Sequence, residues 1–210
     1  MKNKKQIVIP IVILIVAGLV SFLVIKGDIF NGGNTVATVN GEKITQKEFD
    51  LTKQQLSSSQ ASQITEQQIV DQMVINELLV QEAKNEGFET TQEEVDEQYQ
   101  SIITQAGGQE VFNKSLEQLG VTEKYIKDDI EKQLLVQKFA DKQRQENDFS
   151  VTEEEASTYY DQLSSQQEGV PPYEEVKEQI KSQLSQQKLN NFILNIASQL
   201  KEKADINVSL

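Results

Sequence analysis

Four threonines at the start of helical runs are each followed three residues later by glutamate or glutamine: Thr45 and Glu48, Thr65 and Gln68, Thr91 and Glu94, Thr152 and Glu155. In such a pair the hydroxyl accepts from a free N–H of the first helical turn, and the longer side chain reaches back to the threonine's own N–H. Four capping boxes commit most of the chain to helices, and the Gly, Pro and polar breaks between them keep those helices separate. The boxes recur at no fixed period, so they mark boundaries and not an internal repeat.

Between the boxes the apolar residues fall at helical spacing. A first helix is expected from Gln46 to about Ser57, ended by the polar run Ser57–Ser62. After Thr65, the residues Ile69, Val70, Met73, Val74, Leu78, Leu79 and Ala83 share one wide face. Gly87 is placed to end that helix in the left-handed conformation, with Phe88 packing back. Val95, Tyr99, Ile102 and Ile103 follow Thr91, up to the break at Gly107-Gly108. Val111, Phe112, Leu116 and Leu119 mark a fourth helix stopped by Gly120. Thr122 caps a fifth through Ile126, Ile130, Leu134 and Phe139. A helix from Thr152 carries Tyr159, Tyr160 and Leu163, and Ser164 to Pro172 reads as a loop. The last helix runs from Tyr173 to about Lys203.

Strands are few. Val36–Val39 is β-prone, Asn40-Gly41 tolerates the positive φ angles of a type I′ turn, and Glu42–Ile44 can return antiparallel. Ile206–Leu210 alternates with period two, and a lone strand needs a partner. Residues 206–208 are therefore expected to pair with the 36–44 hairpin, bringing the start and end of the domain together. The fold class is mainly α, with a small β-hairpin joined by a C-terminal strand.

Ahead of this domain, Ile7 to Ile25 is nineteen residues without a charge. At ~1.5 Å per residue such a helix spans roughly 28 Å, close to the thickness of a bilayer's hydrocarbon. Lys2, Lys4 and Lys5 precede it, which places the N-terminus in the cytoplasm and the rest outside. The alternative is a cleaved signal peptide, against which stand the length of the apolar run and the lack of an A-x-A site. The expected organisation is residues 1–26 as cytoplasmic lysines and transmembrane anchor, 27–34 as a flexible linker, and 35–210 as the exported helical domain.

Composition removes whole classes of chemistry. There is no Cys and no His, hence no disulfide, no thiolate nucleophile and neither of the common zinc ligands. Three of the 20 basic residues and none of the 33 acidic ones precede Lys26, so the remainder carries 17 positive and 33 negative charges, a net −16. That disfavours nucleic acid and anionic headgroups as partners of the exported part. Asp128-Asp129 and Glu153-Glu154-Glu155 lack the spacing of a calcium loop and read as solvated faces. No cofactor, metal site or catalytic residue is expected.

The stretch Val36-Ala37-Thr38-Val39-Asn40-Gly41-Glu42-Lys43-Ile44-Thr45, followed by Lys47-Glu48-Phe49-Asp50, closely resembles the opening of the SurA N-terminal domain of extracytoplasmic SurA- and PrsA-type chaperones. The similarity continues through Asn76–Lys84 with Gly87 and Thr91–Val95, through Leu119–Glu123 with Tyr125, and through Phe149–Glu155 with Tyr159-Tyr160. It covers roughly residues 35–163 and the final helix. Val16-Ala17-Gly18-Leu19 is similar to a lipobox in which the acylated Cys has become Leu. In such chaperones a parvulin isomerase domain of about a hundred residues, domain-sized on its own, follows the Tyr-Tyr helix. Here only Ser164 to Val170 fills that place, and the histidines of parvulin sites have no counterpart.

What the resemblance implies is a membrane-anchored extracytoplasmic chaperone that holds unfolded or exported polypeptides on dispersed apolar and aromatic side chains, without ATP. Phe112, Tyr125, Tyr159, Tyr160 and Tyr173 are the candidate client contacts; the plain alternative for each is a packing residue of the helices. Tyr159-Tyr160 stands out because two neighbours on a helix cannot both face one core. Two other readings compete: a peptidyl-prolyl isomerase, disfavoured by the missing histidines and missing insert, and a helical envelope adaptor, disfavoured because no heptad seam persists.

Overall fold

The computed structural model describes residues 34–55, 64–167 and 169–210. In chain order, β1 (Thr35–Val39) and β2 (Glu42–Thr45) are followed by α1 (Gln46–Gln55), α2 (Glu66–Asn85), α3 (Gln92–Gln105), α4 (Gln109–Leu119), α5 (Glu123–Glu146), α6 (Glu153–Gln166), α7 (Tyr173–Lys203) and β3 (Ile206–Val208). The apolar run at 7–25 and its lipobox-like stretch lie outside the described residues. Among the described residues no helix is long and apolar enough to cross a membrane.

All four capping boxes form. Glu48 accepts from the N–H and hydroxyl of Thr45 at 2.7 and 2.8 Å, and the reciprocal pairs close at Thr65, Thr91 and Thr152. Gly87 (φ 83°) ends α2: its N–H bonds the carbonyl of Lys84, and the N–H of Phe88 bonds that of Ala83. This double closure satisfies carbonyls that the helix end would leave unpaired.

The sheet is antiparallel in the order β2-β1-β3. Asn40 and Gly41 both take positive φ, 52° and 91°, as a two-residue hairpin turn of this hand requires. β3 lies on the other side of β1, with Ala37 opposite Val208 and Val39 opposite Ile206. The β1–β2 register shifts between Thr35 and Ala37, so neighbouring Val36 and Ala37 are both buried. The last helix and strand thus return to the first hairpin, as their alternation and the need for a partner predicted.

Two compact units result. One comprises, among the described residues, 34–139 and 194–210. Its core joins Val36, Val39, Ile44 and Phe49 to Val70, Val74 and Leu78 of α2, with Leu200 and Ile206 packed against them. A second cluster there gathers Val95, Tyr99, Ile102, Phe112, Leu116 and Ile130. The other unit comprises 140–193. Ala156, Ile180 and Leu189 are buried in it, and Phe149 meets Phe192 edge to face at 5.5 Å.

One boundary differs from expectation. Ser164–Gln166 belong to α6, so the loop is confined to 167–172. The hydroxyls of Ser164 and Ser165 donate back to the carbonyls of Asp161 and Gln162, at 3.1 and 2.7 Å. Both hydroxyls thus find partners without leaving the helix, so the polar serines do not mark its end.

Candidate functional site

A run of bonded polar side chains leads inward from the exposed hairpin turn to α2 in the larger unit. Asn40 accepts the N–H of Asp205 at 2.9 Å and donates to Gln81 Oε1 at 2.8 Å. Gln81 Nε2 donates to the carbonyl of Val39 and to Glu77 Oε1, both at 3.0 Å. Glu77 is only 8% exposed, on a helix whose neighbouring positions Leu78, Leu79 and Val80 are all buried. Its second oxygen lies 3.3 Å from Lys132 Nζ, and Glu48 Oε1 lies 3.8 Å from the same ammonium.

Burial works against the Lys132 charge, but the carboxylates of Glu77 and Glu48 outweigh it and hold its pKa above the usual range. Asp129, bonded by Gln133 at 2.7 Å, has its pKa pushed up chiefly by burial. Asp129 is half-buried, so of the Asp128-Asp129 pair only Asp128 lies exposed as a solvated face requires. Burial, then the charges of Asp129 and Glu48, raise the Tyr125 hydroxyl as well and keep the phenol neutral. Nothing here is poised as a nucleophile. The network joins the turn, α1, α2 and α5 and holds them in register.

The smaller unit brings the other three tyrosines together. Tyr160 and Tyr173 lie with ring centroids 5.3 Å apart and planes tilted by 58°. The Tyr160 hydroxyl donates to the carbonyl of Pro171 at 3.0 Å. The Tyr159 hydroxyl accepts from Gln183 Nε2 at 3.0 Å, and Tyr173 donates to Glu153 Oε1 at 2.9 Å. Glu153 also meets Lys177 and Lys181 at 2.7 and 2.8 Å. Those two ammonium groups and the Tyr173 hydroxyl bring its pKa down to about 2. Both members of the Tyr159-Tyr160 pair are half-buried, each with its own hydroxyl partner.

The five aromatic candidates divide between the two units. Phe112 is 6% exposed and packs edge to face on Tyr99 at 5.5 Å. Tyr125 is half-buried beside the same cluster, with the Lys47 ammonium 5.6 Å from its ring. Tyr159, Tyr160 and Tyr173 belong to the other unit. Exposed apolar side chains that the aromatic reading passed over are Val111 (47%) and Leu119 (41%), at the two ends of α4. The polar network was missed too. Its signal was Glu77 and Gln81, four apart and flanking the apolar run Leu78-Leu79-Val80, where an unpaired charge would be costly.

Two open depressions lie on the larger unit's surface. One, of about 680 Å³, is lined by Glu93, Asp96, Glu97 and Gln100; the other, of about 360 Å³, lies around Gly87, Thr90, Glu131 and Leu135. Neither encloses a ligand as small-molecule pockets do. Among the described residues no group of His, Cys, Asp and Glu side chains is arranged to hold a metal ion.

Comparison with known proteins agrees with this architecture. Residues 1–140 match the SurA-like N-terminal domain family. The fold is similar to a solved structure from Campylobacter jejuni, from work describing the virulence factor PEB4 and the periplasmic protein Cj1289 as two structurally related SurA-like chaperones. The TM-score is 0.56 at 13% sequence identity, over 84% of this chain and 99% of that one. No match is found among curated proteins.

Proposed function

The chain belongs to the SurA-like N-terminal domain family, and from that membership we propose that it is a membrane-anchored, extracytoplasmic holdase for unfolded or exported polypeptides. The observation that carries the reading is the connection between α6 and α7. Only residues 167–172 join the two helices, in the place where SurA- and PrsA-type chaperones are expected to carry their isomerase domain, and the chain has no histidine. What is left of such a chaperone is its client-holding part. Weak contacts to exposed apolar groups such as Val111 and Leu119 suffice for holding. The net −16 of the exported part keeps a loaded complex soluble.

In this reading residues 1–26 anchor the protein, 27–34 link it, and 35–210 face outward. Cell fractionation tests the topology: the protein sediments with membranes and its bulk is cut by protease added from outside. Recovery of a soluble secreted form starting near Leu19 or Phe22 overturns the anchor. An aggregation assay tests the function: fragment 35–210, at stoichiometric amounts, slows aggregation of a denatured test protein. It leaves X-Pro rotation, with its barrier of ~18–20 kcal/mol, at the uncatalysed rate. Turnover in the proline assay with no contaminating isomerase restores the isomerase reading, and failure to slow aggregation at several-fold excess favours the envelope adaptor.

A further inference from the structure

Just before α7, two residues of the connection are packed as part of a bound peptide would be. Val170 and Pro171 are half-buried, and Pro172 is exposed. Neither proline has an N–H to donate, so this segment can join neither a helix interior nor a sheet ladder. The Pro172 carbonyl accepts the N–H of Glu175 at 2.9 Å in the first turn of α7, and the Pro171 carbonyl accepts the Tyr160 hydroxyl at 3.0 Å, beside the tilted ring of Tyr173. Paired aromatic walls with a hydroxyl donor aimed at a backbone carbonyl are the chemistry that holds extended, proline-bearing strands. The other two hydroxyls brace the walls: Tyr159 on Gln183 and Tyr173 on Glu153.

We propose that Tyr160 and Tyr173 form a cradle for extended, proline-containing segments of client polypeptides, and that Val170-Pro171 is an internal occupant which the client displaces. The inference rests on the client-holding reading and names the kind of segment held at this end of the smaller unit. Displacement exchanges one hydrogen bond from Tyr160 for another of the same type, so the two states lie close in energy and release is easy. The internal occupant also lowers the apparent affinity by the fraction of time it spends in place. Glu174 and Glu175 are exposed beside Tyr173, so positive charges flanking the proline segment strengthen its capture.

The test is fluorescence anisotropy on the full chain in detergent, with a short labelled peptide carrying lysines around a Val-Pro-Pro-Val centre. A control peptide has both prolines replaced by alanine. The double substitution Pro171→Gly, Pro172→Ser loosens the internal segment, and the serine supplies a favoured cap for α7. It is expected to bind the proline peptide about fivefold tighter than the parent, the equivalent of one ordinary hydrogen bond. Tyr160→Leu keeps apolar bulk but removes the ring and hydroxyl, and is expected to bind at least about tenfold more weakly than the parent. Circular dichroism checks that both variants are folded. No gain on loosening the segment, or equal binding of the alanine peptide, overturns the cradle. If aggregation is still suppressed in that case, the holdase reading stands without it; if neither activity is found, both fall.

Discussion

Removing residues 204–210 is expected to destabilise the larger unit by about 3 kcal/mol, the sum of a partly buried aliphatic side chain and several hydrogen bonds. At ~2–4 °C per kcal/mol for a chain of this size, the thermal midpoint should fall by roughly 6–12 °C. The deleted segment contains β3, one of the two partners of β1. The ladder is extended at both ends: Asn40 N–H bonds the carbonyl of Asp205 and Ser209 N–H that of Val36, each at 2.8 Å. Ile206 and Ala204 pack on the core that contains Val36, Val39 and Phe49. Without them β1 and β2 become a two-stranded hairpin, which is marginal in water. Asn40 also loses the Asp205 N–H that orients its side chain toward Gln81. Thermal melts of fragments 35–210 and 35–203 measure the effect, and coincident midpoints would show that β3 only decorates the sheet.

That the end of the chain closes on its beginning was legible in the sequence because the argument was local at each end. Alternation at Ile206–Val208 required a strand, and a three-residue strand cannot stand alone. The capping boxes were legible for the same reason, since Thr91 and Glu94 need only each other. Longer-range pairing was not. Nothing near Tyr160 in sequence points to Tyr173 or Pro171, because their meeting depends on how α6 ends. That end was misjudged, because the hydroxyls of Ser164 and Ser165 find acceptors within the helix. Asn40 was read as a turn former, which it is, but its side chain carries a second role that turn chemistry alone does not reveal. Local patterns supplied the elements and the closure of the chain, while the side-chain contacts that hold them had to be read from the structure.

Lys132→Met is expected to cost about 2 kcal/mol at neutral pH, below the ~3–5 kcal/mol of a fully buried ion pair because the lysine side chain retains 36% exposure. The methionine matches the aliphatic stem but leaves Glu77, Glu48 and Asp129 without the ammonium they surround. Asp129 already holds its proton more tightly than an ordinary carboxyl, owing to burial. In the native state of the variant Asp129, no longer facing that ammonium, takes up its proton at a higher pH than it does in the unfolded chain. A group of that kind favours the native state at low pH, and the advantage is lost as pH rises through its raised folded pKa. The deficit relative to the parent is therefore smallest near pH 4 and fully developed by pH 7. Urea unfolding of fragment 35–210 at the two pH values measures it. Adding Glu77→Gln to Lys132→Met should recover at least half of the loss at pH 7, because the amide still accepts from Gln81 and carries no charge. An equal deficit at both pH values, or no recovery in the double variant, would mean that Lys132 acts through packing of its stem and not through its charge.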